Sequence, residues 1–308
     1  MQALHLETPI HQNAAINARL NKQVYFKMEC YQPVGSFKIR GIGAVCQDAI
    51  AKGKTRLISS SGGNAGYAAA YAGNQMAVPV TVVVPETTSE TAMQRIKEQN
   101  AELIIHGKVW NEADALARQL VEESNAAYIH PFDNPIVWQG HASLVDEAVS
   151  QMDKPDAVVV AVGGGGLMAG VLEGMHNNSW QDVPILAVET DGAASFSASY
   201  HAKNLTRLDK ITSIASTLGA LQVTETLMGW IDKHPIRPVL VSDKSAVDAC
   251  LNFADDLRVL VEPACGAALS LIYDNSHYLK DYDTILMIVC GGAGANIQQL
   301  LNWQQNLQ

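Results

Sequence analysis

The 308-residue sequence has little positive charge, few aromatic residues and no long uninterrupted apolar segment. Its 21 lysines and arginines are outnumbered by 31 aspartates and glutamates, which gives a formal net charge of -10. This excess of negative charge repels a phosphate backbone, so we expect no nucleic-acid partner. The most apolar window, VVVAVGGGGLMAGVL, contains four consecutive glycines and ends at Glu173, so it is too short for a membrane helix. We therefore expect no association with a membrane.

Cysteine is also scarce. Five cysteines are scattered along the chain, and none forms the close pair that metal sites and redox dithiols use. We expect reduced thiols and no disulfide framework. The N-terminus lacks a basic region followed by an apolar core, which excludes a typical secretory signal and predicts a cytoplasmic protein.

Short β-branched runs alternate with alanine-rich or amphipathic segments from residue 55 onward. This alternation is typical of parallel βαβ units with helices on both faces of the sheet, and it predicts an α/β fold. The pattern predicts strands over residues 55–61, 78–85, 101–107, 126–131, 156–162, 183–189, 238–242 and 283–290. It predicts helices over residues 64–76, 88–100, 111–124, 136–151, 167–176, 244–256 and 264–274.

The predicted strands fall into two groups. The first group occupies about residues 55–131, and the second begins at residue 156 after the turn-prone segment FDNP and a long helix. This division predicts two α/β lobes with a cleft between them, which is the usual place for a small-molecule site.

The segment SSSGGNAG, residues 59–66, leads from a predicted strand into a predicted helix. Its glycines allow the backbone to approach a ligand closely, and the first amides of the helix are unpaired donors at the positive end of the helix dipole. The segment is therefore suited to a carboxylate or a phosphate. A tight turn with Asn64 as the helix cap accounts for the pattern equally well.

A second loop, VGGGGL at residues 162–167, places four glycines between a strand and a helix. Such a run is entropically costly, which favours an anion-binding role over a purely structural turn. The loop also fits the dinucleotide pattern G-x-G-x-x-A through Gly164, Gly166 and Ala169, with Glu189 near the place of a ribose-binding acid. A nicotinamide-dependent dehydrogenase is thus an alternative, although it assigns no role to the SSSGGNAG loop or to Lys38.

Lys38 follows a serine and an aromatic residue in GSFKIRG, at the junction of an extended segment and a helix. Taken in order, GSFKIRG, SSGGNAG, VGGGGL, VEPACGAAL and VCGG resemble the fold-type II pyridoxal-phosphate enzymes, which include serine and threonine dehydratases. PFDNPIVWQGHAS, AVETDGAASF and the cysteine of VCGG are most similar to the L-serine dehydratase branch. The resemblance extends over essentially the whole chain. It implies a tryptophan-synthase-β-like fold of two three-layer α/β domains with mostly parallel sheets.

The resemblance also implies two domains and a set of cofactor contacts. A large cofactor-binding domain would comprise residues 1–38 and 137–308, a small domain residues 39–136, and the active site would lie between them. Lys38 would form the Schiff base with pyridoxal 5′-phosphate, and its freed neutral amine would remove the substrate α-proton. Further cofactor contacts are implied for Phe37 on one ring face, Asn64 at the ring hydroxyl O3′, Cys290 at the pyridine nitrogen, and Gly163, Gly164, Gly165, Gly166 and the amide of Leu167 at the phosphate.

The implied reaction is the β-elimination of water from an amino acid, followed by release of ammonia. L-serine would give pyruvate, and L-threonine would give 2-oxobutanoate, each through an aminoacrylate. A thiol opposite the pyridine nitrogen does not favour its protonation, which favours loss of a β-leaving group over transamination. The resemblance implies a catalytic role for Ser61 beside Lys38 and places the substrate at Ser61, Gly62, Asn64 and Ala65.

A monovalent cation, K⁺ or Na⁺, is also implied near the cofactor, because oxygen ligands suit such hard ions. A salt-bridged carboxylate is the structural alternative for Glu189. For His141 we expect a structural hydrogen bond rather than a substrate contact. The resemblance further implies a homodimer and a catabolic enzyme without a regulatory domain. The implied cation ligands are the Glu189 carboxylate and carbonyl groups around Gly163, Ala193, Leu218 and Ala220.

Two residues depart from the liver enzymes, which have alanine at both positions. Gly62 lacks a methyl group beside the substrate carboxylate, which predicts a looser loop, and Thr217 alters the second face of the cofactor site. Serine racemases and β-replacement enzymes remain alternatives within the family, although they typically carry serine in place of Cys290. Outside this chemistry, the dehydrogenase and a catalytically silent amino-acid-binding protein remain open.

Overall fold

The computed structural model of the chain describes residues 2–307, so the terminal residues 1 and 308 of the predicted large domain lie outside it. Its β-strands are β1 Ile10–His11, β2 Gln23–Lys27, β3 Arg56–Ser59, β4 Val80–Val84, β5 Glu102–Ile105, β6 Ala126–Tyr128, β7 Ala157–Ala161, β8 Ile185–Thr190, β9 Ile236–Val241 and β10 Thr284–Ile288. Its α-helices are α1 Ala14–Leu20, α2 Lys38–Ala51, α3 Asn64–Met76, α4 Glu90–Lys97, α5 Trp110–Glu122, α6 Pro135–Gln151, α7 Gly166–Asn177, α8 Ser195–Ala202, α9 Thr226–Ile231, α10 Asp243–Leu257, α11 Pro263–Tyr273 and α12 Ile297–Asn306.

The strands form two separate sheets. Six strands pair in the order β1-β2-β10-β7-β8-β9, and four pair in the order β5-β4-β3-β6. Every neighbouring pair is parallel except β1 and β2. The α/β class with mostly parallel sheets is therefore confirmed. The residue boundaries of the two domains stay a prediction.

All eight strands expected from the alternating pattern are present, each near its predicted range. The central strands β7 and β8 are buried at every residue, as expected for parallel strands covered by helices on both faces. The pattern missed β2, which pairs with β10 near the other end of the chain, Val24 opposite Ile285. Because β2 and β10 are so far apart in sequence, no local βαβ pattern indicates their pairing.

Glycines bring α2, α6 and α7 into close contact behind the cleft. A Cβ atom on Gly140 would lie 2.7 Å from the Cα of Gly41, and one on Gly170 would lie 2.6 Å from the Trp138 carbonyl oxygen. Only glycine allows these backbones to approach so closely. The N-termini of α2 and α7 are thereby held by one packed unit, which fixes Lys38 relative to the glycine loop of residues 163–166.

A buried ion cluster joins α2 to the N-terminal segment and to α6. The Arg40 guanidinium donates to Glu29 Oε2 and to Glu147 Oε1, each at 2.6 Å, and both Arg40 and Glu29 are fully buried. Lys27 donates to the same Glu147 carboxylate at 2.6 Å. Because Arg40 lies two residues after Lys38, the cluster fixes the first turn of α2.

Among residues 2–307, no helix combines the length and apolar character that a membrane crossing requires.

Replacing Arg40 with methionine should destabilise the fold by about 3–5 kcal/mol, because Glu29 would keep its buried charge without a cation. Arg56→Met is the matched control, since the Arg56–Glu102 pair is largely exposed and its loss should cost less than about 1 kcal/mol. Urea unfolding of both variants measures the difference. Equal losses for the two variants would contradict the role assigned to the cluster.

Candidate active site

Lys38 begins α2 and lies partly buried in the cleft. Its Nζ donates to the Pro131 carbonyl oxygen at 2.7 Å and makes no ion pair within the described part of the chain. Desolvation lowers the pKa of its amine from 10.5 to about 8, although the nearby Cys290 and Glu262 oppose this change. Lys38 is therefore far more often neutral near physiological pH than an ordinary lysine.

Phe37 and Cys290 lie beside Lys38. The Phe37 amide donates to the Cys290 carbonyl oxygen at 3.2 Å, and Lys38 Nζ lies 5.2 Å from the centre of the Phe37 ring. Cys290 follows β10 and is buried, and a hydrogen bond with the Cys265 thiol together with burial raises its pKa well above 9.0. The Cys290 thiol is thus protonated and uncharged. All five cysteines are free, as expected.

His141 packs edge to face against Phe37, with ring centres 4.8 Å apart. It is fully buried, and neither ring nitrogen has a hydrogen-bond partner among residues 2–307. The expected structural hydrogen bond was therefore wrong. Burial lowers the pKa of His141 well below 6.5, so the ring is a neutral support behind Phe37.

Asn64 is the first residue of α3, and its side chain does not cap the helix. The cap position belongs to Gly63, so the turn with an Asn64 cap was wrong. Instead, Asn64 Nδ2 donates to Glu262 Oε1 at 2.8 Å, and Asn64 Oδ1 accepts from the Ala293 amide at 3.0 Å. These contacts tie the SSGGN loop, which follows the four-stranded sheet, to segments that flank the six-stranded sheet. Ala65, the next residue, is buried in the first turn of α3.

The space opposite Gly62 is filled by Thr88. A Cβ atom on Gly62 would lie 2.7 Å from Thr88 Cγ2 and 2.8 Å from Thr88 Oγ1. The methyl group missing at Gly62 therefore does not leave a gap, contrary to the expected loosening of the loop. Sequence reasoning missed Thr88, because a threonine in a polar turn carries no distinctive signal. Ser61 completes this loop, and its Oγ accepts from the Gly63 amide at 3.3 Å.

The second glycine loop offers free amides at the N-terminus of α7. The N–H groups of Gly163, Gly164 and Gly165 donate no hydrogen bond within residues 2–307, and the first amides of a helix have no intrahelical acceptor. Gly165 has φ +91°, and a Cβ atom on Gly164 would lie 2.5 Å from the Phe132 ring. Only glycine therefore fits at Gly164 and Gly165. The loop, with Leu167 in the first turn, suits a phosphate group.

Glu189 is buried at the end of β8, where it receives two main-chain hydrogen bonds from α8. The Phe196 amide donates to its Oε1 at 2.8 Å, and the Ser197 amide donates to its Oε2 at 2.7 Å. Burial raises its pKa to about 8. Because both carboxylate oxygens already accept hydrogen bonds from amides of α8, the arrangement does not favour a role for Glu189 in binding a ribose. Glu189 also forms no ion pair within the described residues, so the salt-bridge alternative was wrong.

The other expected cation ligands lie on the glycine loop, on the turn before α8 and on the turn of residues 216–220. Gly163 packs against the turn that contains Leu218, with a virtual Cβ atom 3.1 Å from the Leu218 Cα. Ala193 is buried before α8, and Ala220 follows the Leu218 turn. Sequence reasoning missed Ser195, whose buried Oγ has no partner among residues 2–307. Within the same part of the chain, no group of three or more His, Cys, Asp or Glu side chains is arranged to hold a metal ion.

Glu262, just before α11, is a further buried acid that sequence reasoning did not assign. Its Oε1 accepts from Asn64 Nδ2 at 2.8 Å and from Thr217 Oγ1 at 2.5 Å, and its Oε2 accepts from the Gly294 amide at 2.9 Å. Burial raises its pKa above 4.5. The only signal in the sequence was its position in VEPACGAAL, which the resemblance used without giving Glu262 a role.

The site as a whole fits pyridoxal phosphate. A lysine amine with a lowered pKa, an aromatic ring and an uncharged thiol lie together, and a glycine loop with free amides suits the phosphate. A protein that used only a nicotinamide cofactor would have no need of the Lys38 environment.

Comparison with known proteins agrees with this geometry. A family model described as pyridoxal-phosphate dependent enzyme matches residues 1–291. The chain is 41% identical to an L-serine dehydratase of Dictyostelium discoideum, over 99% of this chain and 93% of that protein. It is 42% identical to the human L-serine dehydratase/L-threonine deaminase, over 99% and 96% of the two chains.

Solved structures give the same result. The fold superposes on a fungal L-serine ammonia-lyase from Rhizomucor miehei with a TM-score of 0.94, at 36% identity and over 100% of both chains. It superposes on the processed threonine deaminase isoform 2 of Solanum lycopersicum with a TM-score of 0.89, at 26% identity and over 99% of this chain and 84% of that one. With the family model matched over 1–291 and the site geometry in agreement, the chain belongs to the pyridoxal-phosphate dependent enzymes.

Proposed function

We propose that the protein is a lyase that converts L-serine to pyruvate and ammonia, and L-threonine to 2-oxobutanoate and ammonia. Water is lost from the β-carbon of the substrate and is taken up again when ammonia is released, so the atoms balance. The observation that carries the proposal is the Lys38 amine, held at a pKa of about 8 beside Phe37 and Cys290. The serine and threonine deaminating relatives support the choice of substrate.

Pyridoxal phosphate, when bound, supplies the electron sink that makes the α-proton removable and the β-hydroxyl a leaving group. Lys38 would attach the cofactor, and its neutral amine would accept the α-proton at Nζ. The Pro131 carbonyl oxygen, 2.7 Å from Nζ, orients this amine without adding a charge. The residues that would hold the cofactor are Phe37 at one ring face, Asn64 at O3′, Cys290 at the pyridine nitrogen, and Gly163, Gly164, Gly165, Gly166 and Leu167 at the phosphate.

The substrate carboxylate would bind at the N-terminus of α3, where unpaired amides and the helix dipole favour an anion. Ser61, Gly62, Asn64 and Ala65 would form this part of the site, with the Ser61 hydroxyl close to the reacting groups. The uncharged Cys290 thiol does not stabilise a positive charge on a pyridine nitrogen, unlike a carboxylate. This supports β-elimination over transamination.

A K⁺ or Na⁺ site around Glu189, Ser195 and the carbonyl groups near Gly163, Ala193, Leu218 and Ala220 is part of the proposal. The support is the buried, unpartnered Ser195 hydroxyl one residue before the amide that binds Glu189. An oxygen-rich site of this kind suits a hard cation. A homodimer is proposed from the resemblance alone, and the cytoplasm stays the location predicted from the sequence; sedimentation and fractionation of the native protein test these two points.

Lys38→Ala should abolish the visible absorbance of the cofactor-loaded protein and lower pyruvate formation from L-serine by at least about 10²–10⁴-fold, because it removes the proton acceptor. Lys52→Ala, at the exposed end of the same helix, should leave both unchanged. In the wild-type protein, borohydride reduction should leave the cofactor covalently attached to Lys38.

Three other outcomes would contradict the lyase. A colourless wild-type protein that binds NADH would support the dehydrogenase instead. D-serine as the main product would support a racemase, and a cofactor-loaded protein without turnover would support a silent binder.

The cofactor-free protein should show a reactive lysine with a midpoint near pH 8. Burial disfavours the charged amine, so Lys38 is neutral and nucleophilic above about pH 8, whereas an unperturbed lysine needs pH 10.5. Acetylation at a series of pH values, quantified by mass spectrometry, measures the midpoint for Lys38. A Lys38 midpoint near the ordinary lysine value of 10.5 would contradict the proposed environment.

Replacing K⁺ and Na⁺ with tetramethylammonium should reduce turnover of L-serine, since this ion is too large for a site lined by Glu189 and carbonyl oxygens. Ser195→Ala should raise the K⁺ concentration needed for half-maximal activity, because a buried oxygen ligand is lost. Steady-state kinetics at constant ionic strength measures both effects. Equal activity in all three salts would remove the cation from the proposal and leave the lyase activity intact.

A further inference from the structure

The Glu262 carboxylate is enclosed by the main chain of the segment after β10. A Cβ atom on Gly294 would lie 2.7 Å from Glu262 Oε2, and one on Gly292, which has φ +122°, would overlap the carboxyl group. Glycine is needed at Gly292 both for its backbone conformation and for this close approach. A buried acid carries a desolvation cost, so its enclosure beside the cleft calls for an explanation.

Three hydrogen-bond donors contact this carboxylate. Asn64 Nδ2, Thr217 Oγ1 and the Gly294 amide all donate to it, and no lysine, arginine or histidine of residues 2–307 forms an ion pair with it. An ionised carboxylate accepts hydrogen bonds and donates none, so this arrangement matches the charged form. Each donor therefore contributes to holding a charge that burial opposes.

Glu262 fixes the orientation of the Asn64 carboxamide. Asn64 Nδ2 donates to Glu262, while Asn64 Oδ1 accepts from the Ala293 amide. If the carboxamide were reversed, its oxygen would face a carboxylate and its NH₂ group would face an N–H, so both contacts would be repulsive. One Nδ2 hydrogen has no acceptor within the described residues. That hydrogen is the donor available to an oxygen of the bound cofactor.

Thr217 supplies a donor that alanine lacks. Its side chain is exposed to the cleft, yet its hydroxyl is committed to Glu262 at 2.5 Å. Its Cγ2 methyl lies 3.8 Å from a virtual Cβ atom on Gly63, at the start of α3. Threonine therefore places the hydroxyl on the buried acid and the methyl group against the loop of Asn64, which are two separable contributions.

We propose that Glu262 and Thr217 are positioning residues of the proposed lyase, in which the Thr217 hydroxyl holds Glu262 and Glu262 orients the Asn64 N–H toward the ring oxygen of the cofactor. This inference rests on the proposed function. Thr217 and Glu262 act through Asn64 and do not contact the reacting atoms. Their loss should change how the cofactor is held, with little effect on the fold.

Three variants separate the contributions. Thr217→Val removes the hydroxyl at constant shape, Thr217→Ser keeps the hydroxyl and removes the methyl group, and Glu262→Gln removes the charge. Thr217→Val and Glu262→Gln should raise the Kd for pyridoxal phosphate about 10-fold, since a hydrogen bond to a charged group is lost. Both should shift the absorbance maximum of the bound cofactor, whereas Thr217→Ser should retain the wild-type spectrum. Ser216→Ala is the control, because Ser216 lies next to Thr217 and its side chain makes no hydrogen bond within residues 2–307.

A double-mutant cycle tests whether Thr217 acts through Asn64. In an Asn64→Ala background, Thr217→Val should cause no further change in Kd or in the spectrum, because the positioned group is gone. Circular dichroism and thermal unfolding check that each variant is folded; if Glu262→Gln does not fold, the Thr217 variants and the cycle still decide. A Thr217→Val enzyme with wild-type Kd, spectrum and kcat would overturn the inference, as would equal effects in both backgrounds. A wild-type protein that fails to bind the cofactor would instead overturn the proposed function.

Discussion

Parallel strand pairing is the constraint on which the whole site depends. β2, β10, β7 and β8 run in the same direction, so their carboxyl ends open at one edge of the sheet. Cys290 and the glycine loop of residues 163–166 lie just after these ends, and Glu189 lies at the end of β8 itself. The second parallel sheet supplies the SSGGN loop after β3. Glycine contacts between α2, α6 and α7 then hold Lys38 against this edge. No single segment of the chain could assemble the site.

Lys38 and Glu189, two ionisable residues near the cleft, bond to main-chain groups, in contrast to the ion cluster that stabilises the fold. Lys38 donates to a carbonyl oxygen, and Glu189 accepts from two amides of α8. Arg40, only two residues after Lys38, is instead paired with two carboxylates. An ion pair would keep the Lys38 amine charged and raise its pKa, whereas desolvation against a neutral acceptor lowers it. Among the described residues, the buried ion pairs thus involve Arg40 and Lys27 and not the Lys38 amine.

Local patterns predicted much of this arrangement, and the failures have a common cause. The eight strands after residue 55 were found because central parallel strands are continuously apolar and alternate with helices. Asn64 was expected as a possible helix cap but bonds Glu262, 198 residues away in sequence. Gly62 suggested a loose loop, but Thr88 from another turn fills the space. In each case the decisive partner is distant in sequence, and the local pattern contains no information about it.

The sequence by itself determined the α/β class, the two glycine loops and the prominence of Lys38, because these follow from apolar periodicity, from the backbone freedom of glycine and from an ordered set of motifs. Only the tertiary structure decided the state of the ionisable groups and the contacts from which the roles of Glu262, Thr217 and Ser195 are proposed. A pKa depends on burial and on neighbouring donors, and both arise when the two sheets and their loops pack together. A glutamate in VEPAC or a threonine in IASTLG has no distinctive chemistry until folding brings them within hydrogen-bonding distance of one another.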